Sequence, residues 1–267
     1  MSNDLDEIGD SRSTGSGSLP NVPANSGFLE EKLSSSVRKL FRHYYPDYGP
    51  SRFHELLFQN IRSTDQVLEI GAGSGRCNQR HFNLRNVVAR YVGIDPDPSV
   101  LKNPYLDQAY QCKAESLPFA DASFDLVFHC FIAEHFESPI TCNREINRVL
   151  KPNGLLLFQT PSRYYYPMLI ASITPHWFHE LYVRYLGSGR TKGEVFTTFY
   201  RLNDDQTITK QLHNSGFQCE IEHQSTPPGY LRFSVPSFLA GVVYERTIER
   251  KFPALRGLII VMARKIA

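Results

Sequence analysis

A chain of 267 residues with a formal net charge of +2 is long enough for one generous α/β domain, and its near-neutral balance argues against a nucleic-acid binder. No apolar run reaches the roughly eighteen residues that a membrane-spanning helix needs, and the N-terminus lacks the apolar core of a signal peptide. The five cysteines, at 77, 112, 130, 142 and 219, include no Cys-x-x-Cys pair, which fits reduced thiols in a cytoplasmic protein and indicates neither a disulfide framework nor a zinc site.

Residues 1–27 are rich in Ser, Gly, Asn, Asp and Pro, cannot bury enough surface to offset their ordering entropy, and read as a disordered tail. Residues 28–267 read as a single domain. Its N-terminal helices occupy 28–62. Phe28, Leu29, Leu33, Val37, Leu40 and Phe41 recur at helical spacing up to about Tyr45, and Ser51–Ile61 turns Phe53, Leu56, Leu57 and Ile61 inward.

Strands then alternate with helical stretches. Val67–Ile70 is an apolar strand that ends in Gly71, Gly73 and Gly75, with a polar helical segment after it. Tyr91–Ile94 is the second strand, ending at Asp95. Tyr110–Lys113 is a short third and Phe124–Cys130 a strongly apolar fourth. Ser138 offers a helix cap with Pro139 at the first position; Ile140, Ile146, Val149 and Leu150 line that helix until Lys151-Pro152-Asn153-Gly154 breaks it. Leu155–Gln159 is the fifth strand. A long aromatic insertion at 161–202 interrupts the rhythm, in the manner of a lid or binding loop. Asn203 with Gln206 makes a capping-box pattern for a helix through Ile208 and Leu212 to Gly216. Phe217, Cys219 and Ile221 alternate as a sixth strand. A second insertion, 227–256, contains a helix near Ser237–Glu249 with Phe238, Leu239, Val242 and Val243 on one side, and Leu258–Ala263 is the seventh strand. The pattern predicts an α/β fold: a Rossmann-like, seven-stranded, mostly parallel sheet with helices on both faces and insertions after strands 5 and 6.

The chemistry concentrates at the first strand. Glycine has no Cβ and tolerates positive φ, so a turn built on 71, 73 and 75 can bend sharply and approach a ligand closely. Glu69, inside an apolar strand, needs a polar partner if it is buried. A dinucleotide turn of the form G-x-G-x-x-G wants glycine three residues past Gly73, where this chain has Arg76, and no phosphate-binding G-x-x-x-x-G-K-[ST] is present. The ordered segments VLEIGAGSGR (67–76), YVGIDPD (91–97), AESLPF (114–119), DASFDLVFHCFIAEHF (121–136) and RVLKPNGLLLFQTPS (148–162) resemble the class I S-adenosylmethionine-dependent methyltransferases, in particular the small-molecule, type 11-like branch.

That resemblance implies S-adenosylmethionine as cofactor and methyl transfer by in-line displacement. It places Gly71, Ala72, Gly73 and Gly75 against the methionine tail and ribose. Glu69 would lie near the cationic end, and Asp95, followed by Pro96, against the ribose hydroxyls. Ala114 and Glu115 fall along the adenine pocket, and His129 near the methionine portion and the acceptor. Lys113 departs from the family, which commonly has an acid there to meet the adenine amino group; a lysine cannot accept that hydrogen bond. His135 and His129 are the candidate general bases for an oxygen nucleophile. His176 and His179 lie at ligand-like spacing but lack the H-E-x-x-H pattern, so no metal is expected. The aromatic insertion favours a small, partly hydrophobic or lipid-linked acceptor over nucleic acid, and Met168–Ile173 with Trp177, Arg184 and Arg190 suits peripheral contact with a membrane surface. The rival readings are a non-catalytic methyltransferase-like binding module and an NAD(P)-dependent Rossmann oxidoreductase.

Overall fold

The computed structural model describes residues 34–45, 52–75, 83–173 and 197–266, with only the backbone of 170–173. The expected tail, Phe28, Leu29 and Leu33, Arg76, and the centre of the aromatic insertion with Trp177, His176, His179, Arg184 and Arg190 lie outside the described residues.

Seven strands form one sheet: β1 (Gln66–Ile70), β2 (Arg90–Asp95), β3 (Gln108–Gln111), β4 (Phe124–Cys130), β5 (Leu150–Pro161), β6 (Phe217–Gln224) and β7 (Leu258–Lys265), in the order β3-β2-β1-β4-β5-β7-β6. The pairs β3-β2, β2-β1, β1-β4 and β4-β5 are parallel, and only β7 runs against its neighbours. The strands of β1, β2 and β4 are buried on both faces, as parallel strands under two helical layers must be.

Helices α1 (Ser35–Tyr44), α2 (Arg52–Asn60), α3 (Pro139–Val149), α4 (Tyr166–Ile173), α5 (Asp205–His213) and α6 (Val235–Tyr244) complete the described architecture. On one face Leu68, Ile70, Val127, Leu156 and Phe158 pack with Ile146 and Val149 of α3 and Ile208 and Leu212 of α5. On the other, Val67, Tyr91, Phe128 and Leu157 pack with Phe53, Leu56 and Leu57 of α2. Each such fully buried side chain contributes about 1.5–3 kcal/mol. A third, smaller core joins Val37 and Phe41 of α1 to Phe238 and Val242 of α6, bringing an N-terminal helix onto the second insertion.

Several local expectations need correction. β3 begins two residues earlier than its apolar pattern suggests, because Asp107 meets Tyr91 through both its backbone and its carboxylate and fixes Gln108 opposite Val92. Lys151–Gly154 does not precede β5. Leu150 already pairs with Phe124, and the four residues form an irregularity in the ladder before Leu155 meets Leu126, with Asn153 at φ 62°. The cap of α5 is Asp204, whose carboxylate accepts from Thr207 N at 2.9 Å; Asn203 is buried and donates instead to Thr160 Oγ1 and Pro161 O. Ser138 does hold the N-cap position of α3, but its hydroxyl meets that of Thr141 rather than a backbone N–H. The polar helical segment expected directly after Gly75 runs into residues outside those described; residues 85–89, ahead of β2, form turns and bends. Val243 is exposed, not on the buried side of α6.

Candidate active site

Sheet order reverses between β1 and β4, and a crevice beyond the carboxyl ends of the strands at such a reversal is where α/β sheets bind ligands. The loops after β1, β2, β4, β5 and β6 all leave from this edge, since β6 pairs antiparallel to β7 and therefore runs with β5.

The loop after β1 is held from within. Gly71 N and Ala72 N both donate to Ile94 O (2.8 and 3.0 Å), Gly73 N donates to Asp95 Oδ2 (3.0 Å), and Gly75 N returns to Ala72 O (3.3 Å). Gly71 has φ +78°, and a Cβ there would overlap the Ile132 side chain from the loop after β4, so only glycine lets these two loops close on each other. Gly73 also has positive φ, yet a Cβ there would meet only Asp95 Oδ2, at 3.8 Å. The space beside Gly73 and Asp95 is therefore open, and a ribose or a methionine tail fits such a cradle. Asn103, which no sequence signal marked, is buried and fastens the loop by donating to Ala72 O and Gly73 O (3.2 and 3.3 Å).

Glu69 is buried, and the Tyr91 hydroxyl donates to its carboxylate. This is the polar partner that a buried acid in β1 requires; Tyr91 itself lies in an apolar strand and stacks on Phe128 at 6.3 Å, so its second role is invisible in the pattern. Asp95 ends β2 and accepts from Asp97 N (2.8 Å) as well as Gly73 N. Burial raises its pKa, only partly offset by those two backbone donors and aided by the Asp97 charge. Ribose hydroxyls would donate to the ionised form and oppose that rise. Pro96 follows in the turn, its carbonyl accepting from Gln111.

Ala114 is buried, while Lys113 is exposed. Glu115 points its carboxylate toward Cys142 on α3, whose thiol is pushed up by burial and then by that charge. Any contact of this residue with an adenine ring therefore falls to its backbone. Arg148, unmarked by the sequence pattern, clamps this loop to α3: it donates to Phe119 O and Leu117 O (2.7 and 3.0 Å) and to Asp121 and Glu145 (2.8 Å each).

The two histidines separate. His129 is 0 % exposed, stacks on Phe158 at 4.6 Å and meets Phe136 edge-on at 5.4 Å. Neither ring nitrogen has a hydrogen-bond partner among the described residues, and burial pushes the pKa down to about 3. His135 sits in a short turn, Ala133–His135, with Nδ1 2.9 Å from Thr197 O. Its neighbour Glu134 is buried, accepts from Thr160 Oγ1 (3.2 Å), and through its backbone carbonyl receives Phe199 N and Tyr200 N. At the ends of β4 and β5, Gln159 Nε2 donates to Cys130 Sγ (3.2 Å), and its Oε1 is buried without a partner among the described residues.

Over the ends of β5 and β6 lies an aromatic, acidic wall. Tyr165 is buried, accepts from Thr226 (3.3 Å) and meets Tyr230; Tyr166 meets Tyr244 of α6 edge-on at 5.3 Å. Tyr45 donates to Glu245, joining the N-terminal helix to the second insertion. Glu249, 1 % exposed, has Oε2 unpartnered among the described residues; burial pushes its pKa up to about 7, with the Ser225 hydrogen bond working against the rise and the Glu245 charge adding to it. Among the described residues no three His, Cys, Asp or Glu side chains are grouped to hold a metal ion, and no helix is long and apolar enough to cross a membrane.

A glycine turn tied to a strand-terminal aspartate at the reversal of a parallel sheet defines an α/β protein built for an adenosine-containing ligand. Residues 68–158 match a family model described as a methyltransferase domain. The ubiquinone/menaquinone biosynthesis C-methyltransferase UbiE of Hahella chejuensis is 26 % identical over 78 % of this chain and 84 % of its own length. An uncharacterized methyltransferase of Mycobacterium sp. strain JLS is 31 % identical over 46 % of this chain, which spans about half (55 %) of that relative. Among solved structures, the [4+2]-cyclase SpnF shares the fold at TM-score 0.51, with 18 % identity and 81 % of each chain covered. Haemonchus contortus phosphoethanolamine N-methyltransferase 2, solved with S-adenosyl-L-methionine, does so at 0.50, with 15 % identity over 90 % of this chain and 60 % of that one. The chain carries a methyltransferase domain and resembles S-adenosylmethionine-dependent methyltransferases. The oxidoreductase and non-catalytic readings give way to it.

Proposed function

We propose that this cytoplasmic methyltransferase acts on a small, partly hydrophobic or lipid-linked acceptor held over the carboxyl ends of β4, β5 and β6. The observation that carries this reading is the wall of Tyr165, Tyr166, Tyr230 and Tyr244 beside buried Glu249: rings for an apolar body, hydroxyls and a carboxylate for a polar end. The resemblance to UbiE, named for ubiquinone and menaquinone, points the same way.

The cofactor supplies a methyl group on a sulfonium, a good leaving group. The chain's own residues bind, orient and exclude water. Asp95 accepts the ribose hydroxyls while Gly73 leaves room beside it, and Gly71, Ala72 and Gly75 shape the turn. Glu69 adds negative charge near the cationic end. The Ala114–Glu115 backbone borders the adenine. His135, donating from Nδ1 to Thr197 O, would be the tautomer whose Nε2 accepts a proton, so it is the better candidate base for a hydroxyl nucleophile. His129, sealed between Phe158 and Phe136, serves as a wall of the core rather than as a base, because a base must come within hydrogen-bond reach of the acceptor. Peripheral membrane contact through α4, whose Leu169 is exposed, belongs to the same reading.

The test is a transfer assay with methyl-labelled cofactor across isoprenoid quinols, phenols, amines and fatty acids. Label is expected in an acceptor carrying an apolar tail. Transfer confined to small, fully polar acceptors would refute the reading. For an oxygen acceptor, His135→Gln should lower kcat while leaving cofactor affinity unchanged.

A further inference from the structure

The segment between β6 and β7 carries an asymmetry that methyl transfer does not use. From 225 to 257 it holds five cations, Arg232, Arg246, Arg250, Lys251 and Arg256, against two acids, Glu245 and Glu249. Both acids are engaged inward: Glu249 is buried, and Glu245 accepts from Tyr45. Arg256 is also spent inside, donating to Glu249 O and His223 O (3.3 and 2.9 Å). What remains outward is cationic and apolar. Arg250 and Lys251 are exposed, and Arg246, exposed as well, lies over the Tyr44 ring at 4.8 Å. In the same segment Phe233 is 51 %, Val243 60 %, Ile248 39 % and Phe252 50 % exposed, and Lys251 lies over the Phe252 ring at 5.7 Å.

Large apolar side chains left in water cost free energy, and here they fall within twenty residues of one insertion, whose described residues add outward cations and no outward acid. We propose that this face docks the enzyme on an anionic lipid bilayer. Val243, Ile248 and Phe252 would enter the headgroup boundary, while Arg250 and Lys251 pair with lipid phosphates and keep their stems along the apolar surface. The charge pattern selects this partner over a second copy of the chain, because a two-fold contact would set these cations against their own equivalents. The face belongs to the insertion that leaves the sheet at the crevice edge, so docking brings the acceptor wall toward the lipid. In purpose the inference rests on the lipid-linked reading of the acceptor. It is tested without any acceptor.

The full chain is sedimented with vesicles of phosphatidylcholine alone or mixed with phosphatidylglycerol. Sedimentation is expected only with the anionic mixture, and it should weaken as salt rises. The double variant Arg250→Gln/Lys251→Gln should lower partitioning by more than about tenfold, since each cation near the surface contributes about a fivefold factor. Val243→Ser/Phe252→Ser should also release the protein. Both double variants should bind S-adenosylhomocysteine as the parent chain does, which shows them folded. Failure of the parent chain to sediment with anionic vesicles, or unchanged partitioning of Arg250→Gln/Lys251→Gln, would overturn the proposal. So would a lipid-free dimer that the same substitutions dissolve, since the occupant would then be a second copy. Loss of S-adenosylhomocysteine binding with vesicle binding intact would count against the cofactor assignment alone.

Discussion

The two halves of the carboxyl edge are built differently. At β1 and β2 the site is made of backbone and one carboxylate: four amide hydrogens of a short turn are spent on Ile94 O, Asp95 and Ala72 O, and among the described residues there is room beside Gly73. At β5 and β6 the proposed acceptor site is made of side chains from distant parts of the chain, with Tyr45 meeting Glu245 across 200 residues and Gln159 and Glu249 each keeping an oxygen without a partner among the described residues. Backbone geometry at a cofactor loop tolerates little variation, because a Cβ or a lost amide bond breaks it. A side-chain wall can be repainted residue by residue, which suits the half that must recognise an acceptor. On the proposed reading, the difference teaches that donor chemistry is fixed by conformation and acceptor choice by packing.

Substitutions can break or sharpen this contrast. The largest effect is expected for Gly71→Val, which combines strain at φ +78° with overlap on Ile132; it should cost about 3 kcal/mol or more in chemical denaturation and abolish cofactor binding. Asp95→Ala should raise the cofactor Kd about 30- to 100-fold, from the loss of charge-assisted hydrogen bonds of about 2–3 kcal/mol in total, with the fold retained by circular dichroism. A backbone-only site would show no such change.

His129 sits where the halves meet. Its folded pKa of about 3 lies below the ordinary 6.5, so unfolding takes up a proton between those values. The sign is that stability is full above about pH 6.5 and falls as pH drops toward 3. At pH 5 the loss is about 2 kcal/mol, from about 1.5 units at 1.36 kcal/mol each. His129→Phe should remove that slope in acid denaturation without abolishing methyl transfer. A lost activity with an unchanged slope would return the residue to the catalytic candidates.

The proposed acceptor wall titrates in the opposite sense. The Glu249 carboxyl is raised to about 7 from 4.5. Its stabilising contribution is therefore full below about pH 4.5 and is lost as pH rises to 7, where the unfolded chain has long since released the proton. Glu249→Gln should match the parent chain near pH 4.5 and be more stable near pH 8 by up to about 3 kcal/mol, from about 2.5 units at 1.36 kcal/mol each, read from thermal midpoints. Equal midpoints at both values would remove Glu249 from the buried wall.

The fold was legible because parallel strands buried on both faces read as apolar runs, and β4 matches its run at both ends, Phe124 and Cys130. Spaced glycines and the terminal Asp95 marked the turn that the proposed donor half is built on, because a positive-φ turn and the carboxylate that ties it are written as residue type. Tyr91, Asn103 and Arg148 escaped notice because their roles are made by partners far along the chain: Glu69, the Ala72–Gly73 carbonyls, and the Leu117–Asp121 loop. Asn203 misled because both it and Asp204 are good caps, and only the tertiary pull of Thr160 and Pro161 decides between them. For His129, a position at the end of a strand said nothing of the face on which its ring would lie.

Isothermal titration of the full chain and of Asp95→Ala with S-adenosylhomocysteine, with NAD as control, tests the donor half most directly. Saturable heat with S-adenosylhomocysteine, at least about 30-fold weaker binding by Asp95→Ala, and no heat with NAD are expected. Binding of NAD in place of S-adenosylhomocysteine, or an Asp95→Ala chain that binds S-adenosylhomocysteine as tightly as the parent, would contradict the account.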